Sequence, residues 1–252
     1  MLTLSPSQIT SLFGQWACPA SYYWSYINKQ RRKPNHNFDI GKAVENCITC
    51  YHETGEIKPE IYMRTIEDLK KANFFNELPN EEKDKYNEEI EDMRNKLETL
   101  LFEYKKQVPK LEIISSQQKL EMKLNDDVSI IGYPDYIAKG EKKPKIIDVK
   151  TAGRSWSEAD IDKKIQGEIY VMMAEDSLGE LADFEYHVLV KTKTPKIQII
   201  HIEITQERLD QLLNLIEQAG KAKEKFDFIP SEMDKKHCSV CGKDHSLDFY
   251  FD

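Results

Sequence analysis

The chain has 252 residues, 40 % of them apolar and 10 % aromatic, enough to bury one large domain or a catalytic core carrying an insertion. No run of about 18 apolar residues is present, which excludes a transmembrane helix. Met1-Leu2-Thr3-Leu4-Ser5-Pro6 lacks the basic-then-apolar build of a secretory signal, so an intracellular protein is expected. A net charge of −8 argues against a protein that coats nucleic acid by charge alone, although basic clusters lie at Lys29–Lys33 and Lys191–Lys196, each equally readable as a solvated loop.

Ser5-Pro6-Ser7-Gln8 reads as a helix start, with Ser5 as cap, Pro6 at the first helical position and Gln8 reaching back. That helix carries Ile9, Leu12, Phe13 and Trp16 on one face, and Cys18-Pro19 interrupts it. An aromatic helix over 20–28 and a basic loop follow. Phe38 to His52 predicts a helix with Ile40, Ala43, Val44, Cys47 and Ile48 on its apolar side, ended by Gly55. Residues 59–108 read as a helical insertion, with one long helix over 81–106 that is apolar at Ile90, Met93, Leu97, Leu100 and Leu101.

After Pro109 the pattern becomes that of strands: 119–124, then 128–138 after the Asn125-Asp126-Asp127 turn, then 145–150 with Ile146, Ile147 and Val149. A helix over 160–175, strands over 184–191 and 196–204, and an amphipathic helix over 206–226 complete the order. The tail over 229–252 holds a second C-x-x-C pair. Helix, three strands, helix, two strands, helix predicts an α/β or α+β core with a mixed central sheet flanked by helices, in a single domain over 1–252.

Two segments carry chemistry. Gly132-Tyr133-Pro134-Asp135 lies in the second strand and Asp148-Val149-Lys150 in the third, thirteen residues from acid to acid. A D-x-K triplet by itself occurs in most proteins. On paired strands, however, Asp135 and Asp148 stand side by side, and alternation sends Asp148 and Lys150 to one face and Val149 to the other. Two carboxylates are hard ligands for Mg²⁺ or Mn²⁺, and a neighbouring ammonium can orient or deprotonate a water. Gln166-Gly167-Glu168-Ile169-Tyr170 follows, with Gln166 and Tyr170 on one helical face.

In this order, G-x-P-D, D-x-K and Q-x-x-x-Y make the chain resemble the PD-(D/E)XK nucleases of the RecB-like, CRISPR-associated exonuclease branch. The resemblance touches residues from Ser5 to Cys241, including Cys18-Pro19-Ala20-Ser21-Tyr22-Tyr23, and skips 59–108. It implies a restriction-endonuclease-like core and a metal-dependent DNA nuclease, an exonuclease on single-stranded or end-processed DNA, in recombination, repair or phage or CRISPR DNA processing. Helicase or recombination proteins are its implied partners. Asp135, Asp148 and the Val149 carbonyl are the implied metal ligands, with Lys150 assisting the attacking water and Gln166 and Tyr170 positioning the strand. The family's G-x-x-x-H reads here as Gly41-Lys42-Ala43-Val44-Glu45, so Glu45 takes the place of a histidine ligand.

Many family members bind a four-iron, four-sulfur cluster through one N-terminal and three C-terminal cysteines. Cys18, Cys238 and Cys241 match three of these, but no cysteine follows Cys241. His245 or His237 is the available fourth ligand, and the same set suits tetrahedral Zn²⁺. Iron–sulfur, zinc and no metal all remain open on these residues. Cys47 and Cys50 are expected to be core thiols. Two rival functions follow from the departures: a non-catalytic DNA-binding or scaffold protein on the same fold, and a zinc-stabilised interaction module.

Overall fold

The computed structural model describes residues 2–13, 22, 26, 34–73, 75–161 and 164–222. Among these residues, eight strands fall into two sheets. The five-stranded sheet has the order β2 (Ile113–Ser116), β5 (Tyr136–Ala138), β6 (Lys145–Ala152), β7 (Asp183–Val190), β8 (Lys196–Ile202). Within it β6 and β7 are parallel and the other neighbours antiparallel. The three-stranded sheet has the order β1 (Leu2–Leu4), β4 (Val128–Gly132), β3 (Leu120–Lys123), with β1 parallel to β4. Both sheets are mixed, as the element order predicts, but the single strand expected over 128–138 is two. Pro134 cannot donate to a ladder. The chain leaves one sheet at Gly132 and enters the other at Tyr136.

The helices are α1 (Pro6–Phe13), α2 (His36–Thr54), α3 (Glu60–Ala72), α4 (Asn80–Gln107), the short α5 (Glu158–Ile161), α6 (Gln166–Leu178) and α7 (Gln206–Ala222). Their termini follow local chemistry. The Ser5 amide donates to Gln8 Oε1 at 2.7 Å and the Gln8 amide donates to Ser5 Oγ at 3.3 Å, the reciprocal box read from the sequence. Gly55 ends α2 in the left-handed region, φ 82°, with its N–H on the Tyr51 carbonyl. The helix expected over 160–175 is broken into α5 and α6.

Two apolar cores lie on opposite faces of the large sheet. One joins α1, α6 and α7 to the small sheet and includes Ile130, Ile146, Ile169, Phe184 and Val188. The other joins α2, α3 and α4 to Ile147, Val149, Leu189 and Ile197. The apolar stripe of α4 is buried at every position the spacing indicates, and Tyr86 and Tyr104 extend it. Cys47 is buried in this second core, whereas Cys50 is only half-buried and its Sγ lies 3.7 Å from Thr54 Oγ1. No helix among the described residues is long and apolar enough to cross a membrane.

Candidate active site

The site forms where the two sheets part. Between β2 and β3 the chain crosses at 117–119, and between β4 and β5 it crosses at 133–135. The two crossings are joined by the Gln117 amide, which donates to the Asp135 carbonyl at 3.1 Å. Because β5 and β6 are antiparallel with Tyr136 opposite Ile147, Asp135 comes to the Asp148–Val149 step of β6. Its Oδ2 accepts the Val149 N–H at 2.8 Å. Along β6, Ile146 enters one core and Ile147 and Val149 the other, so alternation sends Asp148 and Lys150 to the α6 side, as expected.

Asp148 is 1 % exposed and ion-paired to the Lys150 ammonium. Apart from that ammonium its Oδ2 is buried without a hydrogen-bond partner. Glu45 arrives from α2, in the opposite layer, at the end of β5. Its Oε1 takes Lys42 Nζ at 2.9 Å and the Gln117 side-chain amide at 2.7 Å. The same amide nitrogen donates to Asp135 Oδ1 at 2.8 Å. Gln117 thereby ties two of the acids together, and it does so at φ 50°, the one non-glycine positive φ among the described residues. Nothing in Ser115-Ser116-Gln117-Gln118 marks it in the sequence, and only the crossing geometry reveals it.

Burial pushes the Glu45 carboxyl up to about 6, helped by Asp135 and opposed by Lys42 and Lys150. Burial likewise raises Asp148 to about 6, outweighing the Lys150 ammonium beside it. The two acids are therefore desolvated enough to hold protons despite the lysines beside them. The acids do not close into a group of three His, Cys, Asp or Glu side chains arranged for a metal among the described residues. Gln117 stands between Glu45 and Asp135, and Lys150 stands on Asp148.

Gln166 and Tyr170 lie at the start of α6, and Gln166 Nε2 donates to the Tyr170 hydroxyl at 3.3 Å. That hydroxyl donates to the Tyr133 carbonyl at 3.2 Å. The glycine of Gly132-Tyr133-Pro134-Asp135 has a packing reason. A Cβ at Gly132 would lie 3.0 Å from Tyr170 Cε1, 3.2 Å from Met173 Sδ and 3.2 Å from Pro6 Cγ. Two motifs that look independent in sequence are thus one contact. Tyr133 itself is 48 % exposed beside the pocket.

All the predicted site residues from Glu45 to Tyr170 therefore share one neighbourhood. The profile of the PD-(D/E)XK nuclease superfamily matches residues 3–244, nearly the whole chain. The chain belongs to this superfamily. PD-(D/E)XK nucleases are hydrolases of nucleic-acid phosphodiester bonds, and divalent metals such as Mg²⁺ typically serve them. The crystal structure of a candidate exonuclease from Eubacterium rectale superposes with a TM-score of 0.58 at 15 % identity, covering 95 % of this chain and 86 % of that one, and shows the shared fold. The crystal structure of SSO0001 overlaps more loosely, with a TM-score of 0.41 at 14 % identity over 88 % of this chain and 76 % of that one. No curated protein matches the sequence.

The cysteine expectation lies elsewhere. Cys18, Cys238, Cys241 and His245, together with the basic cluster at Lys29–Lys33, fall outside the described residues. Lys191 of the other basic cluster is engaged, with its ammonium on Asn37 Oδ1 at 2.8 Å.

Proposed function

We propose that this protein is a Mg²⁺- or Mn²⁺-dependent deoxyribonuclease that trims single-stranded or end-processed DNA from its ends. The observation that carries the reading is the meeting of Glu45, Asp135, Asp148 and Lys150, from α2, the β4–β5 crossing and β6, at one opening between the sheets. A hard divalent cation fits this donor set. The acids offer oxygen only, two of them are held protonation-prone by burial, and Asp148 Oδ2 is buried with the Lys150 ammonium alone beside it. Asp135, Asp148, Glu45 and the Val149 carbonyl are the residues that would hold it. When bound, such an ion supplies Lewis-acid stabilisation of the phosphate charge and a lowered pKa for a water.

The chain's own groups do the rest. Lys150, with about a third of its side chain open and held charged by Asp148 and Asp135, orients the attacking water and offsets developing negative charge. Gln166 and Tyr170 orient the strand, their own positions fixed by the Tyr133 carbonyl. An acidic chain with its cations gathered near one opening suits a threaded strand better than a broad duplex footprint. The likeness to a candidate exonuclease supports end-directed action. The direct test is cleavage of end-labelled linear and circular DNA, single- and double-stranded, in Mg²⁺, Mn²⁺ or EDTA. Release of short products from linear strands, circles left intact, and silence in EDTA are expected. Cutting of circles at the linear rate would overturn the end-directed part, and no cleavage with either metal would overturn the enzyme.

Gln117 gives a second test. Asparagine tolerates the left-handed backbone but is one methylene too short to bridge Glu45 and Asp135. Gln117→Asn should weaken Mn²⁺ binding roughly 10–100-fold, as loss of a ligand-orienting partner does, read by isothermal titration, with an unchanged circular dichroism spectrum. Unaltered affinity would show that the bridge does not position the acids.

The pH dependence has a definite sign. Glu45 and Asp148 are raised in the folded state, so the stability linked to their neutral forms is complete below the ordinary carboxylate range and is lost as pH rises through about 6. A cation that binds the ionised forms restores it. Mg²⁺ at a hundredfold excess over its Kd should raise Tm by on the order of 5–10 °C at pH 7.5 and by much less at pH 5. Comparing Mg²⁺ with EDTA at each pH removes the contribution of other titrating groups. Equal shifts at the two pH values would exclude these carboxyls as ligands.

A further inference from the structure

Lys164 lies two residues before Gln166, outside every motif, yet its surroundings are built. Its Nζ stands 4.1 Å from the centroid of the Trp156 ring. Trp156 is itself fixed on both sides of its backbone. Its N–H donates to Gln198 Oε1 at 2.8 Å, and its carbonyl accepts Gln198 Nε2 at 3.2 Å. Its ring packs edge-on against Tyr186 with centroids 5.3 Å apart. A half-buried ammonium is thus carried on an aromatic platform anchored to β7 and β8.

The charges around it do not balance. The groups that act on Lys164 are Lys150, Asp148 and Asp160. Asp148 is taken by Lys150. Asp160 is taken by a two-pronged contact from Arg154 at 2.7 and 2.8 Å and by the Ser157 amide and hydroxyl. Among the described residues no carboxylate lies within ion-pair distance of the Lys164 ammonium. Desolvation and the neighbouring Lys150 both work against its charge. A cation–π contact is a small return for desolvating a cation beside another cation. A cation held this firmly with no anion among the described residues, next to a pocket for phosphodiester hydrolysis, is a seat for an anion from outside.

We propose that Lys164 is a phosphate-binding residue of the site, taking a backbone phosphate of the bound strand beside the one being cut, with Trp156 as its support. The proposal rests on the nuclease reading and adds a residue to it. It places the path of the strand across the α6 side of the sheet opening, from Lys164 past Lys150.

The test uses the full chain with single-stranded oligothymidylate in Ca²⁺ or EDTA, and cleavage in Mg²⁺ or Mn²⁺ as a parallel measurement. Lys164→Gln should weaken binding roughly tenfold, the typical effect of losing a hydrogen bond to a charged group. It should lower the slope of log K against log salt by about 0.7, the share of one phosphate on a single strand. Neutral methylphosphonate links placed one at a time should impair wild-type binding at one position next to the cleaved bond, and that position should cease to matter in Lys164→Gln. Lys164→Arg should keep the phosphate contact. Because no carboxylate among the described residues pairs with the ammonium, Lys164→Gln should melt at the wild-type temperature or above it. Wild-type affinity, salt slope and phosphonate pattern in Lys164→Gln, in a protein whose wild type cleaves, would overturn this proposal alone. So would a clear loss of Tm, which marks a structural role. A wild type that neither binds nor cleaves would remove the nuclease reading and this residue's role together.

Discussion

Replacing Asp148 with alanine should reduce cleavage by at least about 10³-fold, close to 4 kcal/mol of transition-state stabilisation, with the substrate KM nearly unchanged. Asp148 is the most deeply buried of the three acids, and its Oδ2 meets only the Lys150 ammonium. No water-exposed neighbour can substitute for it. Lys150→Ala should cost about 10²–10⁴-fold, the usual range for a positioned acid–base group. Lys150→Arg should not rescue, because a planar guanidinium does not fit the close single-point contact that the ammonium makes with Asp148. The double variant should be little worse than Asp148→Ala, since the two residues act as a unit. Single-turnover rates on labelled single-stranded DNA, with circular dichroism to confirm folding, check all four. Asp148→Ala activity within a few-fold of wild type would remove Asp148 from the reaction.

Tyr104→Phe should destabilise the protein by roughly 2–4 kcal/mol, the cost of leaving two buried nitrogens unpartnered, and lower Tm by about 5–15 °C. Tyr104, on α4, is 1 % exposed. Its hydroxyl lies 3.0 Å from His52 Nε2 on α2 and 2.8 Å from His187 Nδ1 on β7. His187 Nε2 continues to Glu185 Oε2 at 3.1 Å. The other Glu185 oxygen meets Lys145 and His201 Nδ1. One hydroxyl therefore links three elements, and the chain of polar contacts ends at the surface. Burial lowers His52 to about 4, so it is neutral in the folded protein and must be satisfied as a neutral ring. The stability tied to that neutral form is fully present above the ordinary imidazole range and is lost as pH falls through about 4. Urea unfolding at pH 7.5 measures the effect, and cleavage at low temperature should be retained. A change below about 0.5 kcal/mol would mean that water replaces the hydroxyl.

Much of this was legible because it is local. Alternation in Ile146-Ile147-Asp148-Val149-Lys150 needs only an extended backbone to put Asp148 and Lys150 on one face. The Ser5–Gln8 box, the Gly55 stop and the apolar stripe of α4 likewise need only their own few residues. Strands β1 and β2 were missed because runs of three and four residues carry no clear period. The break at Tyr133-Pro134-Asp135 was missed because a proline at the end of an apolar run marks a bend without saying which sheet lies beyond it.

The amino-acid order alone determined most of the longer elements and the family's motif sequence, since helix and strand faces repeat every few residues and show in any short window. Tertiary structure alone decided that Gln117 bridges Glu45 and Asp135, that Lys164 rests on Trp156, and that Tyr104 joins two buried histidines. Those pairs are separated by stretches of chain that impose no distance between them. Only strand register and helix packing bring such side chains within a hydrogen bond's reach.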